Sequence, residues 1–105
     1  MAKEILSKNN QYIKLARALQ QKKYREKEKL FLIEGITNAL EAINVDWPIA
    51  FGFYTKDLLQ DNKGSLILSA LEEKAEVFLL SQDLIAAIAT TEQPQPCLLY
   101  TSRCV

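Results

Sequence analysis

Three short apolar runs alternate with stretches of helical spacing, and that alternation constrains the fold more than any other feature. Leu30-Phe31-Leu32-Ile33 and Val77-Phe78-Leu79-Leu80 are continuous, as expected of strands covered on both faces. Between them, Ile49 to Thr55 reads as a strand with Ile49, Phe51 and Phe53 on one side and Ala50, Gly52 and Tyr54 on the other. Helical stripes fill the intervals: Tyr12, Leu15, Ala16 and Leu19 within about Asn10–Gln21; Ile36, Ala39, Leu40 and Ile43; Leu66, Ile67, Ala70 and Leu71; Leu84, Ile85 and Ile88. Ser7, Asn9 and Asn10 offer caps for the first helix, and Ser81 for the last. Helices alternating with buried strands give an α/β chain, a single three-layer α/β/α domain with a mostly parallel sheet. Cys97-Leu98-Leu99-Tyr100 is a candidate for a last short strand.

The chain has 105 residues, 49% of them apolar, enough for one modest core. No run of eighteen apolar residues is present, so no membrane partner is expected. No apolar signal region precedes a cleavage site, and the expected address is cytoplasmic. Histidine is absent and the two cysteines, Cys97 and Cys104, come late. A zinc site, a stapled secreted framework and a Ser–His–Asp arrangement are all disfavoured on those grounds. Gly35 stands alone without a G-x-G-x-x-G frame, and Lys63 lacks the glycines of a Walker loop. Glu72 and Glu73 are adjacent, point to different sides of a helix and read as a solvated face. No catalytic residue, cofactor site or metal site is expected in this chain.

Charge is divided unevenly. Residues 1–29 carry nine Lys or Arg against three Glu, a net +6, and the remainder carries four against ten, a net −6. A basic arm on an acidic body points to an anionic partner, nucleic acid being common; the competing reading is a solvated helix kept soluble by its lysines. Lys14 and Arg17 fall on a side of the first helix away from its apolar stripe. In Lys22-Lys23-Tyr24-Arg25-Glu26-Lys27-Glu28-Lys29 no apolar face exists, so the segment is either a solvated helix end or an exposed loop. Tyr24 among Lys22, Lys23, Arg25 and Lys27 suits base stacking beside phosphate contacts, or else it covers the sheet edge. Glu34-Gly35 closes a strand read as central, where α/β sheets place ligands. Glu34 either helps shape an RNA-facing edge, or accepts amides at the helix start or pairs with Arg25; the second reading is favoured.

These residues, in order, resemble the N-terminal substrate-binding domain of the SpoU/TrmH-type RNA 2′-O-ribose methyltransferases. The pieces are Asn10, Ile13 and Lys14 of an opening Asn-x-x-Ile-Lys; Lys23-Tyr24-Arg25; Phe31 to Gly35 as Phe-x-x-Glu-Gly; Ser81 and Leu84 at a helix start; and a Thr-x-x-Pro-Gln loop ending at Gln95. No single piece is specific, but their order and spacing together are, over about residues 3 to 95. The resemblance implies a domain related to ribosomal proteins that bind kinked RNA, with tRNA or rRNA as partner. It also implies a homodimeric parent enzyme whose S-adenosylmethionine site and catalytic residues lie in a separate C-terminal domain. The expected RNA-binding residues are Lys14, Arg17, Lys22, Lys23, Tyr24, Arg25 and Glu34.

The pattern departs from the family at Pro96, which stands where the family loop has glycine. Proline can neither take a positive φ nor donate an amide. The expected organisation is a basic N-terminal helix and arm at 1–29, the α/β/α RNA substrate-binding body at 30–96, and a foreign or disordered tail at 97–105. The functional expectation is an RNA-recognition domain cut off before its catalytic half. Its alternatives are a free-standing kinked-RNA module and a protein-interaction fragment pairing through an unfinished sheet edge.

Overall fold

Residues 3–89 and 95–102 are described by the computed structural model of the chain. Thr91 to Pro94 of the expected loop, and Arg103, Cys104 and Val105 of the expected tail, lie outside the described residues. In chain order the elements are β1 (Lys3–Glu4), α1 (Gln11–Ala18), α2 (Lys22–Glu28), β2 (Phe31–Glu34), α3 (Ile36–Asn44), β3 (Ile49–Tyr54), α4 (Lys56–Gln60), α5 (Gly64–Lys74), β4 (Glu76–Leu79), α6 (Gln82–Ile88) and β5 (Cys97–Thr101). The strands form one sheet in the order β1-β4-β3-β5-β2.

Two apolar clusters flank this sheet, so the three-layer expectation holds. On one face Ile13, Ala16 and Leu19 of α1 and its end, with Leu84, Ile85 and Ile88 of α6, meet Phe51, Phe53, Phe78, Leu98 and Tyr100. On the other, Ala39, Leu58, Ile67 and Leu71 from α3, α4 and α5 meet Ile49, Tyr54, Val77 and Leu99. The helical periods place these residues inward, and each fully buried Leu, Ile or Phe contributes about 1.5–3 kcal/mol relative to exposure. Within the first cluster the Phe51 and Tyr100 rings stack at 4.8 Å, an arrangement worth somewhat more than its area alone.

The sheet is mixed, not mostly parallel. β4 pairs in parallel with β1 and β3, whereas β5 runs antiparallel to both β3 and β2. The physical reason is that β5 occupies the slot between β2 and β3, which would otherwise have been parallel neighbours. Its register sets Tyr100 opposite Leu32 on one side and Phe51 on the other. This arrangement overturns a disordered tail for residues 97–102: Cys97 to Thr101 are all buried. It also moves β2 to the rim, where Phe31 is 36% exposed. Glu34 therefore closes an edge strand and not a central one.

β3 departs from strict alternation. Its pairing with β5 slips between Ile49 and Phe51, so Ile49 joins the face of Tyr54 instead of that of Phe51 and Phe53. A bulge of this kind turns one side chain over without ending the ladder. α5 buries Gly64, Ile67 and Leu71 but leaves Leu66 outside. Gly64 starts this helix in direct contact with α4: a Cβ there would lie 1.6 Å from the Leu58 carbonyl oxygen.

Candidate nucleic-acid interface

The basic segment is two helices joined by an elbow. Asn10 opens α1 by accepting the Tyr12 amide on its side-chain oxygen at 2.8 Å, which satisfies one of the free donors of the first turn. With Ile13, Ala16 and Leu19 inward, Lys14 and Arg17, three residues apart, lie on the exposed surface. The chain then turns at Leu19 to Gln21. The Gln20 side-chain amide donates to the Ala87 and Ala89 carbonyls, both at 3.2 Å, tying the elbow to the end of α6.

α2 buries no residue completely, so the buried Ile13, Ala16 and Leu19 that hold α1 and its end have no counterpart here. Its attachment rests on two half-buried groups. Tyr24 packs against the first apolar cluster, and the Lys23 ammonium lies 5.1 Å from the centroid of its ring. Arg25 donates from Nη1 to the Leu19 carbonyl at 3.1 Å and the Gln20 carbonyl at 3.2 Å. A cation there caps carbonyls that a helix end leaves unpaired and complements its dipole. Lys29 then terminates α2 in the left-handed conformation, φ 58.

Within α2, Tyr24 and Arg25 are half-buried, while Lys22, Lys23, Glu26, Lys27 and Glu28 are exposed. Lys22 and Glu26 approach to 4.0 Å at high exposure, a pair worth little in water. Among residues 14–29 the exposed charges are Lys14, Arg17, Lys22, Lys23, Lys27 and Lys29 against Glu26 and Glu28, a net +4. Lys27, named beside Tyr24 in the sequence but not among the seven expected site residues, is exposed on the same side of α2. Its signal was present, since positions 22, 23, 26 and 27 share one side of a helix.

Glu34 comes from a different element and faces the same side of the sheet as Leu32. It is half-buried, and both it and Arg25 act on the Tyr100 phenol. Burial pushes that phenol above its ordinary range, the nearby Glu34 carboxylate pushes the same way, and Arg25 opposes them. Arg25 and Glu34 thus both lie near enough to Tyr100 to act on its phenol electrostatically. Beyond Glu34, Gly35 adopts φ 96 at the start of α3, a conformation that favours glycine. A concavity of about 360 Å³ opens here, lined by Glu34, Gly35, Thr37, Asn38 and Gln95 among others. Of the seven expected residues, the structure thus gathers Lys14, Arg17, Lys22 and Lys23 on the outer surface. It sets Tyr24, Arg25 and Glu34 at the seam beneath.

A family model for the MRM3-like substrate binding domain matches residues 10–99. The chain belongs to this family. It is 36% identical over 93 residues to the 23S rRNA (guanosine(2553)-2′-O)-methyltransferase RlmP of Bacillus subtilis (strain 168), covering 89% of this chain and 35% of that protein. Among solved structures it is similar to an rRNA methyltransferase of Sinorhizobium meliloti, with TM-score 0.82 and 23% identity, over 98% of this chain and 38% of that one. It is also similar to an RNA methyltransferase of the TrmH family from Porphyromonas gingivalis, with TM-score 0.66 and 27% identity, over 92% of this chain and 35% of that one. The chain therefore spans a little over a third of the length of these relatives.

The Sinorhizobium meliloti enzyme has also been solved with S-adenosylmethionine bound. The concavities among the described residues do not fit that cofactor. The strand-end hollow beside Glu34 has a single glycine and no aromatic side chain in its lining. The larger groove of about 500 Å³ along β2 and α3 presents two carboxylates, Glu34 and Glu41, on an otherwise mostly apolar wall. Neither lining contains a glycine-rich run to supply backbone donors to such a ligand.

Proposed function

We propose that this chain is the substrate-recognition part of a SpoU-type RNA 2′-O-ribose methyltransferase and docks tRNA or rRNA through the outer surface of α1 and α2. The observation that carries this reading is the net +4 of exposed charge over residues 14–29, with Lys14, Arg17, Lys22, Lys23 and Lys27 on α1 and α2, mounted on a substrate-binding fold. Tyr24, Arg25 and Glu34 serve it from beneath by holding α2 in place. Cofactor binding and methyl transfer belong, in this reading, to a further domain of a homodimeric parent enzyme. Fluorescence anisotropy with labelled tRNA and an rRNA fragment at low salt tests the idea. Binding should weaken steeply with salt and should fall when Lys14, Arg17, Lys22 and Lys23 are made Gln. Indifference to either change would count against it, and absence of binding in dilute buffer would refute it.

A second reading is favoured by the sheet edge. β2 ends the sheet with its outer rim open beside the groove lined by Leu32, Ile33 and Trp47, an arrangement suited to pairing with another chain. Concentration-dependent association without RNA affinity would support it. The origin of residues 97–105 is separate from their order. The family match runs to residue 99 and β5 completes the sheet; that the sequence after Pro96 was joined to the domain from elsewhere is a separate proposal. The DNA downstream of the Pro96 codon tests it, and an uninterrupted gene reading through Val105 would refute it.

A further inference from the structure

Resting on the reading above, we propose that this surface recognises the phosphate backbone of double-helical RNA, independently of base sequence, and not unstacked bases. The argument turns on where the aromatic rings go. Residues 3–29 contain two aromatic side chains, Tyr12 and Tyr24, and both are committed to the body. The Tyr12 ring lies 4.5 Å from Phe78 and 5.4 Å from Phe51. Tyr24 packs on the same cluster, and the Lys23 ammonium stands over its ring at 5.1 Å. Recognition of single strands relies on aromatic faces on which bases stack, and both tyrosines are partly buried against the body.

The outward groups are Lys14, Arg17, Lys22, Lys23 and Lys27, all exposed and all on helices. Four of the five are lysines, compact charges without the planar fork that reads a base edge in two bonds. Arg25, which has that fork, spends it on the Leu19 and Gln20 carbonyls. Charges spaced along two helices match a regular array of phosphates better than a flexible strand. Duplex RNA is recognised largely by shape and backbone, since its deep, narrow major groove excludes side chains. Base choice in the parent enzyme must then be made elsewhere in the protein.

The test compares the full 105-residue chain on a blunt RNA duplex of about sixteen base pairs, a second duplex of unrelated sequence, and one of the single strands, by anisotropy across a salt series. The two duplexes should bind within about twofold of each other and no more weakly than the single strand. Changing Lys22, Lys23 and Lys27 to Gln should reduce the slope of log K against log salt by about 2.7 on duplex. A preference for the single strand, or a difference of roughly tenfold or more between the two duplexes, would overturn the inference while leaving RNA docking intact. No binding to any of the three RNAs in dilute buffer would remove both.

Discussion

Gly64→Ala is expected to destabilise this protein severely, through space alone. The backbone at Gly64 has an ordinary negative φ, so alanine meets no conformational penalty there. The added Cβ, however, would sit 1.6 Å from the Leu58 carbonyl oxygen and 2.7 Å from its carbon. A relaxed carbon–oxygen contact is about 3.3 Å or more, so α4 and the start of α5 must part by roughly 1.7 Å. Both atoms met are backbone, so no rotamer change relieves the clash. Parting the two helices also loosens Leu58 and Ile67, which are fully buried in the same cluster. Overpacking ordinarily costs about 1–3 kcal/mol, and the rigid neighbour argues for the upper end, about 3 kcal/mol. For a domain of this size each kcal/mol lowers Tm by about 4–8 °C, so the expected drop is about 12–24 °C. Thermal unfolding followed by far-UV circular dichroism reads this directly. A Tm within about 3 °C of the parent, with an unchanged spectrum, would refute the steric argument.

Gly35→Ala should fail for the opposite reason. The nearest atom to its Cβ is a Gln95 side-chain oxygen at an easy 3.5 Å, but φ is +96, so a cost of about 1–3 kcal/mol should come from backbone strain and show in urea melts. Arg25→Gln should loosen α2 without removing an RNA contact. Amide exchange in residues 22–28 should accelerate, while the salt slope of RNA binding at low temperature stays unchanged; a slope reduced by about one would make Arg25 a phosphate ligand instead. Cys97, with its thiol pushed up to about 12 by burial, should resist iodoacetamide at pH 8 until the protein is unfolded. Its thiol is raised in the folded state, so the unfolded chain loses that proton first. Stability should therefore be flat below about pH 8 and fall as pH rises from the ordinary thiol range toward 12, with Tyr100 acting in the same direction. Stability that rises over that window would contradict the burial of both groups.

The helices were legible because their information is local. The spacing of Tyr12, Leu15, Ala16 and Leu19 found α1, although Ile13 proved more deeply buried than Tyr12, and Ser81 does cap α6 by accepting the Leu84 amide at 3.2 Å. α4 escaped notice because Lys56–Gln60 is barely more than one turn, too short for a period to show. Strand order was illegible for a different reason. A continuous apolar run at Leu30–Ile33 looks the same at the rim as in the middle, and only β5 inserting beside it decides the matter. The cationic surface could be read because charge stays charge wherever it folds. The role of Arg25 could not, because its partners are backbone carbonyls, which no side-chain pattern announces.

The placement of β5 has a consequence for how the molecule is made. Its two neighbours in space, β2 and β3, are synthesised more than forty residues ahead of it. While the ribosome still holds residues 97–101, β2 has no partner and β3 has one bare flank, each offering hydrogen-bonding groups to any passing chain. The nascent polypeptide is therefore at its most aggregation-prone just before this segment emerges, and its arrival closes both ladders in a single event.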